Sequence, residues 1–282
     1  MKIILSRKGL DGSAGGAPSP IFPNDILLSL PIPDPQGRHR YCDLTWRTQN
    51  IGDLVETLTR GRLSGQTPVH LDPDLLGDLC ARQPDWRPLF GQDGAAQSHL
   101  ANQDVGVGDL FLFFGWFHTV EQTRGGYRFV PGAPELQIIY GWLQVGAIVQ
   151  GAALPTMAPA WALHHPHCQG GRSARNTLYI AAPQLTLPDG ATPLSGAGVL
   201  AQRRSCQVLT APNALRTHWR LPRWFFPSAG RPPLTYHGDP ARWRRDTDYT
   251  YLRSVARGQE FVFDTTHYPE AMAWLRTLLC AA

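Results

Sequence analysis

The sequence predicts an α+β fold: a β-rich single domain with a central mixed or antiparallel sheet and a few short helices. Three observations point to it. An apolar run dense in aromatics at 109–117 is followed, across a loop holding Gly125 and Gly126, by strand-like runs at 127–130 and 136–145. The 28 Gly and 25 Pro follow no fixed period, which excludes collagen, favours many turns and argues against a helical bundle. Finally, 282 residues with 43% hydrophobic and only 17% charged side chains suffice to bury one sizeable core. The whole chain, 1–282, is read as one domain.

Residues 2–5 read as a short buried strand. Ser6 to Pro20 is a loop of small residues, where backbone can approach a ligand closely. Leu54, Val55 and Leu58 predict a short helix from about 53 to 60. A firmer helix is expected over 72–82, with Asp72 as N-cap, Pro73 at the first helical position, and Leu75, Leu76 and Leu79 on one side. Helical geometry is also expected for 94–102. The aromatic runs of 109–145 form a hairpin or meander, and further short strands are expected at 177–182, 206–210 and 260–264. A last helix covers about 269–279 with Pro269 in its first turn. Proline-rich connections fill 151–170 and 183–198, and no internal repeat is present.

Charge and cysteine usage bound the setting. Only Lys2 and Lys8 among the 26 basic residues are lysine, so the positive charge is almost all guanidinium. Residues 203–257 hold eleven Arg against three Asp, although the whole chain is only +4. Aromatic residues interleave with these arginines, a combination that neutralises phosphates and stacks unpaired bases. Five scattered cysteines without a CxxC pair indicate neither a disulfide framework nor a cysteine zinc site. A cytoplasmic setting is expected, with no export signal in the first eight residues. The longest apolar run, 110–117, is too short to span a membrane.

Common catalytic motifs are absent: there is no GxxxxGK[ST], G-x-S-x-G, HExxH or strand–GxGxxG–helix unit. The Gly-rich loop with Ser6, Arg7 and Lys8 could cradle a phosphate, and Asp11 within it could equally serve a local turn. His70-Leu71-Asp72 is the sharpest local candidate. Such a pair can give one iron an imidazole and a carboxylate, with a third ligand from His118, His164, His165 or His167, and Arg172 or Arg175 as a carboxylate clamp. The predicted helix, however, already uses Asp72 as its cap. His70 then becomes a catalytic base beside Asp74 or an ordinary, partly buried histidine. The run His164-His165-Pro166-His167-Cys168, flanked by proline and lacking a nearby acid, reads as an exposed loop. Gln92 and Gln97 suit base edges, while His99 suits proton transfer near neutral pH. His237, in Tyr236-His237-Gly238-Asp239, lies inside the basic aromatic stretch.

The runs SRKGLDGSAGGAPSPI (6–21), HLDPDL (70–75), LFGQDGAAQSHL (89–100), VGVGDLFLFFGWF (105–117), IIYGWLQVG (138–146), HHPH (164–167), WRLPRWFFP (219–227), LTYHGD (234–239) and GQEFVFD (258–264) occur in order along nearly the whole chain. Together they resemble the nucleotide modification associated domain 3 family; Leu10 departs from the aromatic expected there. That family is attached by genome context to phage and bacterial systems that alter DNA bases. The resemblance implies DNA or a nucleotide as substrate and names no reaction.

The expectation is an enzyme modifying a DNA base or nucleotide. Its catalytic set is drawn from Asp11, His70, Asp72, Asp74, His99 and His237. Nucleotide binding is assigned to Ser6, Arg7, Lys8, Gln92, Gln97, Trp219, Trp224, Tyr236 and Arg242. Two rival expectations are a non-catalytic reader of altered bases and an oxygenase holding a divalent metal such as iron through His70 and Asp72.

Overall fold

The computed structural model describes residues 1–169, 173–255 and 260–280. Arg172, named above, and Arg257, the last arginine of the 203–257 stretch, lie outside the described residues. Ten strands carry the argument: β1 (Lys2–Arg7), β2 (Pro68–His70), β3 (Leu89–Gln92), β4 (Leu110–Thr123), β5 (Leu136–Gln150), β6 (Thr177–Ala181), β7 (His218–Pro222), β8 (Trp243–Arg245), β9 (Tyr249–Arg253) and β10 (Glu260–Asp264). Three nine-residue helices accompany them: α1 (Ile51–Thr59), α2 (Gly94–Asn102) and α3 (Ala271–Leu279).

The main sheet runs in the order β10-β1-β4-β5-β6-β3. It is mixed: β1 and β4 pair parallel, and the other neighbours along this path are antiparallel. The α+β, β-rich expectation therefore holds. Period-two alternation divides the aromatic run of β4 between two cores. Phe111 and Phe113 join Ile4, Phe90, Tyr179 and Val262 on one face. Leu112 and Phe114 join Trp219, Phe261 and Leu275 on the other.

The sheet curls until its two outermost strands meet at one end. There Gln92 Nε2 on β3 donates to Glu260 Oε1 on β10 at 2.6 Å. The first aromatic core is thus the inside of a nearly closed barrel, with α2 over this end through buried Leu100 and Gln97. A separate three-stranded antiparallel sheet, β7-β9-β8, covers part of the second core.

Several expected elements form, with adjusted ends. The helix expected at 53–60 starts earlier, because Asn50 rather than Asp53 caps it by accepting from Gly52 N and Asp53 N. Both central strands run beyond their expected ends. The expected loop at 6–20 gives way to strand at Ser19–Phe22.

The helix expected over 72–82 does not form, and Asp72 is no helix cap. Asp74 instead bridges to Leu89 of β3, with N–H···O bonds of 2.9 and 3.1 Å in the two directions, and the Asp72–Pro73 bond is cis. The leucines that suggested one helical face serve two cores, Leu76 and Leu79 in one and Leu75 in another. Pairing with β3 satisfies this backbone in place of helical bonds.

Two further corrections have similar causes. Residues 206–210 form no strand but a 3-10 turn, Ser205–Gln207, followed by isolated bridges at Val208 and Thr210. The proline-rich 183–198 segment holds a hairpin, Gln184–Leu187 with Gly190–Ser195, whose Leu185 and Leu187 are buried.

Among the described residues no helix is long and apolar enough to cross a membrane. The five cysteines are free.

Candidate metal centre

The sequence-predicted site residues separate into groups instead of sharing one cavity. β3 divides the two larger groups: Gln92 faces the barrel interior, and Gly91, its neighbour, faces outward.

The outward group is built where residues 70–74 and 165–167 cross β3. His70 ends β2, Asp72 follows it, and His167 lies in the short 3-10 turn Pro166–Cys168. One ligand atom from each of His70, Asp72 and His167 lies within 4.8 Å of the others. Nε2 of His70 stands 3.7 Å and Nε2 of His167 3.8 Å from Asp72 Oδ2. In a tetrahedral set, bonds of roughly 2.0–2.1 Å to a common ion would draw these two edges in to about 3.4 Å, a shift of a few tenths of an ångström, while the edge between His70 and His167 lies within 4.8 Å.

Hydrogen bonds aim these atoms. His70 Nδ1 donates to Asp34 Oδ2 at 2.8 Å and turns Nε2 toward the centre. Burial lowers this ring, but Asp72 and Asp34 raise it above its ordinary value, so a metal would take Nε2 in exchange for a proton. His167 Nδ1 donates to Asn176 Oδ1 at 2.6 Å, and Asn176 Nδ2 donates back to the His167 carbonyl, which fixes the amide's orientation. Asp72 Oδ1 accepts from Gly91 N at 2.7 Å and faces His165 Nε2 at 3.4 Å, so Oδ2 is the oxygen left to the other two histidines. His165 Nδ1 accepts from His167 N, which puts its ring proton on Nε2, toward Asp72. His165 therefore positions the carboxylate.

Electrostatics follow from burial and pairing. Burial by itself would raise the Asp72 carboxyl, but the imidazoles of His165, His70 and His167 that face it hold it well below its ordinary value. Burial pushes His167 down to about 4 and leaves its ring neutral near pH 7. Asp74 is also buried, and its carboxyl is raised by burial against a bidentate pairing with Arg82 at 2.6 and 2.7 Å. It lines both adjoining cavities. One, of about 190 Å³, also touches Asp72, Ser29 and Tyr140. The other, of about 300 Å³, has Arg38, Arg82, Trp86, Trp161 and His165 in its wall.

The exposed-loop reading of 164–168 is corrected by this geometry: His165 and His167 are each 5% exposed, and their acid arrives from Asp72, far away in the chain. Asp34, His165 and Asn176 were not singled out for the roles they take here. No local pattern marks them, since each acts through a partner from another segment. An Asn176→Ala chain is expected to bind metal 10–100-fold more weakly than wild type while keeping its fold. Metal titration beside circular dichroism checks this, and an unchanged affinity would refute the aiming role.

The interior group gathers at the barrel mouth. Lys8 Nζ lies 3.2 Å from Glu260 Oε1 and 4.6 Å from the Phe90 ring centroid. Gln92 shares Glu260, Gln97 Oε1 accepts from Tyr179 OH, and His99 Nε2 contacts Thr235 Oγ1 at 3.0 Å. Tyr236, 49% exposed, lies against His99 with ring centroids 4.4 Å apart. Ser6 is buried on the neighbouring strand, and Arg7 donates to the Val255 carbonyl.

The remaining residues stand elsewhere. Asp11 closes its own turn by accepting from Ser13 N and Ala14 N. Trp219 is fully buried with its Nε1 on Gln137, and Trp224 stacks on Phe225 at 3.9 Å. Arg242 donates to the Arg253 carbonyl.

His237 is fully buried: its Nδ1 donates to Thr235 O and its Nε2 accepts from Val255 N, which suits only the neutral ring. Burial, with Arg242 and Arg7 nearby, lowers it to about 4. Between an ordinary value near 6.5 and about 4 the unfolded chain takes the proton first, so His237 costs stability as pH falls through that window, up to about 3 kcal/mol. Denaturant unfolding at pH 7 and pH 4.5 is expected to show a smaller loss for His237→Asn than for wild type. Equal losses would show that His237 does not contribute.

A family model described as nucleotide modification associated domain 3 matches residues 2–264. No curated protein and no solved structure matches the chain.

Proposed function

The chain belongs to the nucleotide modification associated domain 3 family, and from that premise we propose that it is a metal-dependent enzyme acting on a nucleobase or nucleotide at the His70–Asp72–His167 cluster. The observation that carries the reading is the common aim of three ligand atoms, each held by a hydrogen-bonded partner. A helix cap, a surface loop or an isolated core histidine needs no such convergence. Family membership supplies the substrate class, and the cluster supplies the chemistry.

Two imidazoles and one carboxylate are the donor set of non-haem iron sites, which keep positions open for other molecules. Iron(II) is accordingly the first metal to test and zinc the second. The chain's own residues have separable tasks. His70 and His167 supply neutral nitrogens, Asp72 supplies one oxygen and a negative charge, and His165 and Gly91 N–H hold the other oxygen. The cavity of about 300 Å³ meets the cluster through His165 and Asp74 rather than through the three ligands themselves, and its wall holds the indoles of Trp86 and Trp161 and the cationic Arg38, groups suited to a base and a phosphate.

The test is elemental analysis of full-length protein, purified anaerobically with iron(II) or zinc, alongside mass spectrometry of nucleosides from cells with and without the chain. About one metal ion per chain and a changed nucleoside are expected. Protein that binds neither metal at micromolar concentration would overturn the reading.

A further inference from the structure

We propose that the outward face of the β7-β9-β8 sheet is a binding platform for single-stranded DNA, which makes the polymer the substrate. The identity of the ligand rests on the nucleotide-modification reading above; the platform itself rests on separate residues.

Alternation sorts these strands cleanly. Trp219 and Leu221 of β7, Thr250 and Leu252 of β9, and Trp243 of β8 are buried toward the core. The opposite face of the central strand shows Tyr249, Tyr251 and Arg253, with Tyr249 40% exposed. Arg220 of β7 and Arg244 of β8 both stand opposite Tyr251, one on each side. The Arg220 guanidinium lies 4.6 Å from the Tyr249 ring centroid, and that of Arg244 lies 4.1 Å from the Tyr251 ring centroid. Flat rings thus run along the middle of the sheet with cations on both sides. Asp246, in the turn between β8 and β9, accepts from Asp248 N and Tyr249 N and also pairs with the Tyr251 hydroxyl beside Arg244, so this one acid sits at the end of the patch.

Charge complementarity selects an anionic partner, and the rings select among anionic partners. A duplex presents phosphates and hides its base faces, so it has no use for tyrosines in the middle of the patch. An acidic protein segment matches the guanidiniums but not the rings. A single strand uses both, with phosphates on arginine and unpaired bases on the aromatic or guanidinium planes. Tyr249 and Tyr251, two residues apart on one strand, are roughly 7 Å apart, room for one base each. Chemistry on a base also requires that base to leave the stack. On this sheet face the basic stretch has its aromatic partners in Tyr249 and Tyr251, while Trp219 is buried in the core.

The test is fluorescence anisotropy of full-length, metal-free protein with a labelled oligothymidine of roughly 16 nucleotides and a duplex of equal length, between 50 and 200 mM salt. Tighter binding of the single strand is expected. Tyr249→Ala with Tyr251→Ala should weaken single-strand binding at least tenfold, and Trp at both positions should restore it. Arg220→Gln, Arg244→Gln and Arg253→Gln together should flatten the dependence of log K on log salt by about 2. Tyr249, Arg244 and Arg253 are exposed and Arg220 and Tyr251 partly so; thermal unfolding measured on each variant, with protein folded at the assay temperature, excludes misfolding as the cause. Unaltered single-strand affinity in either variant, duplex binding as tight as single-strand binding, or no DNA binding at all would overturn the proposal. A His70→Ala chain should bind DNA as wild type does, so that failure of the metal reading and failure of the platform are separately visible.

Discussion

A His167→Ala chain is expected to lose metal affinity roughly a thousand-fold and, with it, nucleoside-modifying activity down to background. The magnitude follows from sharing a binding free energy of order 10–16 kcal/mol among the three ligands, which makes one donor worth about 3–5 kcal/mol. Water can enter the vacated space but does not replace an imidazole held in place by Asn176. His70→Ala and Asp72→Asn should behave alike, because each removes or neutralises one donor of the same three. His99→Ala is the discriminating control: His99 stands at the barrel mouth against Thr235 and Tyr236, and its loss should leave metal content unchanged. Isothermal titration and elemental analysis read the effect, and circular dichroism confirms the fold. Wild-type affinity in His167→Ala would remove this residue from the centre.

Gly91→Ala is expected to be nearly as damaging, although it removes no charged or nucleophilic side chain. A Cβ at Gly91 would lie 2.2 Å from both Cγ and Cδ2 of His167, well inside contact distance. The ring is hemmed in: Nδ1 is bound to Asn176 and the residue is buried. The Gly91 N–H also holds Asp72 Oδ1, so relief by moving β3 would release the carboxylate as well. In an open strand, alanine for glycine gains roughly 0.5–1 kcal/mol. Here overpacking of about 1–3 kcal/mol opposes it and wins. The expected outcome is a lower melting temperature together with metal affinity reduced at least a hundred-fold. Gly125→Ala, where a Cβ meets nothing within 4 Å, should be close to neutral in both measurements. If Gly91→Ala also proves neutral, then the ring of His167 does not lie where it must to bind metal.

Some of this was legible because it is local. The aromatic-rich runs of 109–117 and 136–145, the short helices expected at about 53–60 and 94–102, and the apolar residues of the helix expected at 269–279 depend on neighbours a few residues away. The helix expected over 72–82 shows the limit of the same reasoning. Asp72-Pro73-Asp74 satisfies every local rule for a helix start, yet the pairing of Asp74 with Leu89 and the burial of both acids among histidine and arginine partners outweigh it. His70 and Asp72 were visible as a pair through their spacing, but four histidines were equally eligible to join them.

By itself, the chain's order of residues determined the strands and helices that follow from short-range periodicity, the family resemblance, and the presence of an imidazole next to a carboxylate. Only the tertiary structure decided which third histidine meets them, that His165 and Gly91 orient the acid, and which aromatics of the basic stretch face solvent. The reason is physical. Periodicity is a property of one segment and its own backbone, whereas a ligand set or a binding face is made by segments far apart in sequence. Their meeting depends on the curl of the sheet and on which side of each strand a residue falls, and a single step in register exchanges the two.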